Sequence, residues 1–153
     1  MACLLLIAHS PSENLRAMEA SVGDGARLLE SEGVRLRQLS PLVATAADVL
    51  AADAVILGTP ENLGYMSGAL KDFFDRSYYG LLNQTDALPF AYYVRAGLDG
   101  TGTSRAIESI CGGMKWKLVQ PALICRGDWR PAFLDDCQEL GQAMASGLDL
   151  GIF

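Results

Sequence analysis

Three short stretches carry residues whose types and spacing suit ligand chemistry. They are His9-Ser10-Pro11-Ser12-Glu13-Asn14-Leu15, Thr59-Pro60-Glu61-Asn62-Leu63-Gly64 and Ala96-Gly97-Leu98-Asp99-Gly100-Thr101-Gly102. In the first, Ser10, Ser12 and Asn14 offer side-chain donors just ahead of a helix start. Orphan N–H groups and the positive end of the helix dipole favour an anion there. That combination suits a phosphate and needs no lysine. Ser12 as a plain helix cap accounts for the same residues, and both readings stay open at this point. Glu13 opposes an anion by a dipole-sized term of about 0.3–1 kcal/mol, and Arg16 offsets it. The second stretch offers the Thr59 and Asn62 side chains and freely oriented amides near Gly64. In the third, Gly97, Gly100 and Gly102 permit close backbone approach to a ligand.

Other chemistries lack their residues. His9 is the only histidine; it can act as a polar structural residue or as a ligand contact, and no G-x-S-x-G elbow exists to use it as a base. Gly100 and Gly102 form a G-x-G without a third glycine, so no dinucleotide fingerprint is present, and there is no G-K-[ST] of a P-loop. Cys3, Cys111, Cys125 and Cys137 lie far apart with no C-x-x-C, which argues against zinc and for small apolar residues in a reducing compartment. Trp129 can line a pocket or pack. Arg126-Gly127-Asp128 matches an adhesion tripeptide by chance.

The elements that must position these stretches follow from periodicity. Ala54 to Leu57 and Cys3 to Ala8 are unbroken apolar runs, the signature of parallel strands buried on both faces. Val34, Leu36 and Leu39, split by polar residues, read as an edge strand. Phe90 to Arg95 and Ala122 to Cys125 complete a set of five. A helix is expected from about Ser12 to Glu32, with Gly23 and Gly25 weakening its middle and Gly33 ending it. Thr45 with Asp48 resembles a capping box. Gly58 to Gly64 reads as a loop, followed by a helix burying Met66, Ala69, Leu70, Phe73 and Phe74. Its outer face pairs Lys71 with Asp75 and Asp72 with Arg76. Thr103 to Cys111 forms another helix ended by Gly112 and Gly113. The last helix starts at Pro131 and buries Phe133, Cys137, Leu140 and Met144.

Strands alternating with helices predict a doubly wound α/β sandwich in strand order 2-1-3-4-5, with the most polar strand at the edge. Its switch point lies between strands 1 and 3, where the Ser10 and Thr59 stretches meet. At 153 residues the chain is read as a single domain over 1–153 that buries about two-thirds of its surface. A net charge of −6 argues against nucleic acid and against an anionic membrane surface. The apolar N-terminal run is too short for a signal peptide or a membrane span, so a cytoplasmic location is expected.

The segment Gly58-Thr59-Pro60-Glu61-Asn62-Leu63-Gly64 through Leu70-Lys71-Asp72-Phe73-Phe74-Asp75-Arg76 resembles the second flavin-binding segment of the flavodoxin-like, NAD(P)H-dependent FMN reductase families. The first stretch is similar to their phosphate loop at Ser10, Ser12 and Asn14. It departs at Glu13, where glycine is usual, and at Leu15, where a hydroxyl is usual. The resemblance implies a flavodoxin-like three-layer αβα sandwich with a five-stranded parallel sheet. It implies FMN as cofactor and NAD(P)H as co-substrate. By resemblance, Ser10, Ser12, Glu13, Asn14 and Leu15 line the phosphate. Thr59, Pro60, Glu61, Asn62, Leu63 and Gly64 wrap the ring, with Tyr65 or Asn62 at its border. Ala96, Gly97, Gly100 and Gly102 approach the ring's pyrimidine end. No catalytic side chain and no metal ligand is implied, because the flavin supplies the chemistry. The implied partner is a quinone or similar small-molecule acceptor, and the related reductases are often homo-oligomers. Two alternatives remain: an electron carrier that docks a redox protein, for which the acidic surface is suited, and a module that has lost flavin.

Overall fold

The computed structural model describes all residues, 1–153. Strand β1 (Ala2–Ala8) leads into helix α1 (Glu13–Arg27), a short 3-10 turn (Glu30–Glu32) and strand β2 (Val34–Leu39). Helix α2 (Ala46–Leu50), strand β3 (Ala54–Asn62), strand β4 (Tyr65–Met66) and helix α3 (Gly68–Leu81) follow. The chain continues through β5 (Pro89–Ala96), α4 (Thr101–Gly113), β6 (Lys117–Leu118), β7 (Leu123–Arg126) and α5 (Ala132–Asp149).

The sheet order is β2-β1-β3-β5-β6, with β7 also pairing to β5. All these pairings are parallel. This is the expected 2-1-3-4-5 arrangement, with its fifth position filled by two short strands. Pro121 lies between β6 and β7 and has no N–H to give to a ladder, which explains the break. The sheet divides the core into two apolar clusters. Leu5, Val55, Leu57, Phe73, Tyr92 and Ile107 lie on the α3 and α4 side; Leu4, Leu6, Ile56, Met18, Phe133 and Met144 lie on the α1 and α5 side. The unbroken apolar runs are thereby explained, since alternate residues of one strand serve opposite clusters.

Several boundaries differ from the sequence expectation. Helix α1 stops at Arg27, five residues short, and the chain tightens into the 3-10 turn before Gly33 reverses it at φ 104°. The expected loop from Gly58 is instead strand through Asn62, because Gly58, Thr59 and Pro60 pair with Tyr93, Val94 and Arg95 of β5. Leu63 (φ 54°) and Gly64 (φ 74°) then turn the chain back. Glu61 pairs with Met66 and Asn62 with Tyr65 in an antiparallel hairpin. Two successive positive φ values give the turn whose twist suits a two-residue hairpin. Met66 is therefore a buried strand residue, and Ser67 caps α3 by accepting the Leu70 N–H at 3.2 Å. The predicted ion pairs Lys71–Asp75 and Asp72–Arg76 both form. Arg76 also donates to the carbonyls of Pro41 and Ala44, tying α3 to the segment before α2. The Thr45–Asp48 capping box is present. Helix α4 begins two residues early, at Thr101, because Gly100 takes φ 74° and serves as its cap.

Candidate functional site

Strands β1, β3 and β5 are adjacent and parallel, so the segments leaving their carboxyl ends meet along one rim. The His9 N–H donates to the Gly58 carbonyl at 3.0 Å, joining the first and second segments at the switch point.

In the first segment Ser12 has extended backbone, and its Oγ accepts the Leu15 N–H at 3.2 Å. The cap and anion readings therefore coexist: the oxygen lone pair serves the helix, while the hydroxyl proton stays available. Glu13 and Asn14 are exposed, and their N–H groups are the open donors of the first turn. Ser10 Oγ donates to Glu19 at 2.7 Å. Leu15 turns inward and is buried in the α1 face of the core. Burial holds the His9 imidazole below its ordinary pKa of 6.5, and its Nδ1 is buried without a partner. A cleft of about 600 Å³ borders this segment on the β2 side, lined by Pro11, Arg16, Arg27 and Gln38 among others.

In the second segment Thr59 is fully buried. Its Oγ1 donates to the Pro60 carbonyl at 2.8 Å and accepts the Ser67 N–H at 2.9 Å. Thr59 thus closes the base of the hairpin and presents no side chain to the rim. Pro60 is buried in the β5 ladder, whereas Asn62 and Leu63 at the hairpin tip are exposed. The Glu61 carboxylate accepts the Leu98 N–H at 2.8 Å and the Gly100 N–H at 2.9 Å, so it binds the third segment.

In the third segment Ala96 is buried and Gly97 exposed. A Cβ on Gly102 would lie 2.2 Å from the Gly64 carbonyl oxygen, so a bare glycine lets α4 touch the hairpin turn. The Thr101 N–H bonds Asp99 Oδ1 at 3.0 Å. That bond, with the Thr101 hydroxyl, holds the Asp99 carboxyl below its usual range. Arg126 Nε donates to the Asp99 carbonyl at 2.7 Å, and the Gly127 N–H to the Ala96 carbonyl at 3.1 Å. Arg126 and Gly127 thus form a brace for this segment. Sequence reasoning missed it, because nothing local to Arg126 points to a carbonyl 27 residues earlier. Trp129 packs edge-on against Phe133, and the Arg95 guanidinium lies 5.3 Å from the Phe133 ring centroid. Trp129 is a packing residue.

The family model described as NADPH-dependent FMN reductase matches residues 29–126. The chain belongs to this family. It is similar to a flavodoxin from Aquifex aeolicus, 34% identical over 110 residues, or 72% of this chain and 58% of the relative. It also resembles NAD(P)H dehydrogenase (quinone) 3 from Rhizobium meliloti, 28% identical over 95 residues, or 50% of this chain and 44% of the relative. The chain therefore spans about half the length of these curated relatives. An archaeal flavodoxin structure superposes with a TM-score of 0.80 at 20% identity, covering 95% of this chain and 98% of the other. A WrbA-like flavodoxin from Agrobacterium tumefaciens gives 0.72 at 19% identity, covering 95% and 96%. These structural likenesses establish the flavodoxin fold. No helix is long and apolar enough to cross a membrane.

The rim fits the cofactor that family membership brings to it. A phosphate dianion requires converging uncharged donors, and the open first turn of α1 supplies them beside the Ser12 hydroxyl. A flat ring requires a wall of backbone near glycine, and the hairpin with the Ala96–Gly102 segment supplies it.

Proposed function

We propose that this chain binds FMN and uses it to pass reducing equivalents from NAD(P)H to a quinone or similar small acceptor. The observation that carries the reading is the joining of the hairpin and the Ala96–Gly102 segment through Glu61, beside the open start of α1. The bound flavin supplies hydride acceptance and electron release. The chain's own residues bind and orient it. Ser12, Asn14 and the Glu13 and Asn14 amides hold the phosphate, with Ser10 steadied by Glu19. Asn62, Leu63, Gly64 and Tyr65 border the ring, and Gly97, where a Cβ would meet nothing, keeps bulk away from its pyrimidine edge, while bare Gly100 and Gly102 let the segment pack against Ile124 and Gly64. A side-chain acid or base is not required, because hydride transfer between a nicotinamide and a flavin needs position more than proton shuttling.

A second reading, an electron carrier that docks a redox protein, draws support from the likeness to the Aquifex flavodoxin and from the charge of −6. One experiment separates them. The protein is saturated with FMN, and NADPH or NADH is added anaerobically while flavin absorbance is followed. Prompt bleaching by the nicotinamide alone supports the reductase. Bleaching only after a reductase partner is added supports the carrier. Absence of FMN association excludes both.

A further inference from the structure

Two rim segments that are far apart in sequence are held as one body by a single carboxylate. Both Glu61 oxygens are engaged, one by the Leu98 N–H at 2.8 Å and the other by the Gly100 N–H at 2.9 Å. Charge-assisted bonds of this kind are about twice as strong as neutral ones. No cation pairs with Glu61, so its negative charge is directed at these two amides. The surroundings act in the same sense. A Cβ on Gly100 would lie 2.7 Å from Ile124 Cγ2, and one on Gly102 would lie 2.2 Å from the Gly64 carbonyl. The Arg126 guanidinium holds the intervening Asp99 carbonyl at 2.7 Å. Every contact is internal to the chain, so this arrangement exists without a ligand.

The amides of Leu98 and Gly100 are taken by Glu61, the Asp99 amide is turned to its own carboxylate, and the Gly97 amide has no acceptor within the chain. A carboxylate clasp on these two amides leaves the exposed Gly97 amide as the donor that an incoming acceptor atom meets.

We propose that Glu61 is a positioning residue for the ring end of the flavin site. It clasps the Leu98 and Gly100 amides before cofactor binds and so presents the Gly97 amide to the acceptor edge of the ring. This rests on the FMN reading above. The clasp acts on the ring and not on the phosphate, so riboflavin and FMN must feel its loss equally.

The test uses Glu61→Gln and Glu61→Ala in the full chain, with far-ultraviolet circular dichroism to show that each folds. Amide hydrogen exchange is read by NMR without cofactor, and FMN and riboflavin affinities are read by fluorescence quenching. Removing two bonds to a charged acceptor is expected to speed exchange at Leu98 and Gly100 by about tenfold or more. FMN and riboflavin are expected to weaken by the same factor, again about tenfold in Glu61→Ala. Exchange at Asn14 is expected to stay unchanged. Unaltered exchange at Leu98 and Gly100 overturns the clasp. Unaltered flavin affinity in Glu61→Ala, or weakening of FMN alone, overturns the positioning role. Failure of the unsubstituted protein to bind FMN overturns the FMN reading, and the exchange data still decide the clasp.

Discussion

Gly25 on α1 and Gly141 on α5 meet with no side chain between the two backbones. A Cβ on Gly25 would lie 2.0 Å from the Gln138 carbonyl oxygen, and one on Gly141 would lie 2.0 Å from the Val22 carbonyl oxygen. The contact is reciprocal and joins the helix whose first turn is proposed to hold phosphate to the last helix of the chain. Its cost is lost helix propensity, about 1 kcal/mol per glycine; its return is close packing of two buried faces.

Gly141→Ala will therefore destabilise the fold although alanine is the better helix former. Neither helix can yield without displacing the other from the sheet, which places the loss at about 1–3 kcal/mol. Urea denaturation measures it. A gain in stability would show that the helices are free to separate.

Tyr93 offers the opposite case. Its hydroxyl is buried without a partner, burial pushes the phenol well above its ordinary range, and its ring lies where a Gly58 side chain would be. Tyr93→Phe removes an unpaired polar atom and keeps the ring, so stability is expected to rise by about 1 kcal/mol. Gly58→Ala places a carbon 2.2 Å from that ring and is expected to lower the melting temperature.

His9 gives stability a defined dependence on pH. Its folded pKa is below 6.5 because burial disfavours the charged ring, so the unfolded chain binds the proton more readily. The stabilisation is fully present above pH 6.5 and is lost as pH falls through the folded value. NMR titration of this sole imidazole is expected to show a depressed midpoint. His9→Gln is expected to flatten the pH dependence of unfolding between pH 5 and 7 (roughly the window in which an unperturbed imidazole titrates). An NMR midpoint at or above 6.5 would contradict this.

Glu13 stands exposed at the first position of α1, beside the amides assigned to phosphate. Glu13→Gln is expected to tighten FMN by about two- to fivefold at low salt, the effect of one charge at a helix start. The gain should shrink as ionic strength rises. Riboflavin, lacking the phosphate, should show no change.

Much of this molecule was legible before its structure. The strand order followed from which apolar runs alternate and which do not, since burial on two faces leaves its mark on the central residues of β1, β3 and β5. The Thr45–Asp48 box, the ion pairs along α3 and the inward residues of α5 are set by spacings of three and four, which act locally. The hairpin was not legible: Gly58-Thr59-Pro60 has the composition of a loop, and only the length of β5 beside it makes it strand. The Thr59 hydroxyl, expected at the rim, closes the hairpin base because Ser67 arrives next to it.

The sequence by itself determined the sandwich, its order and the meeting of three segments at one rim, because periodicity and turn chemistry are short-range. Only the tertiary structure decided which donors remain open there. Whether an amide is free depends on a partner distant in sequence: Glu61 reaches Leu98 and Gly100, Arg126 reaches Asp99, and Glu19 takes Ser10. Such pairings arise when packing brings charges and backbone together, and no local pattern encodes them.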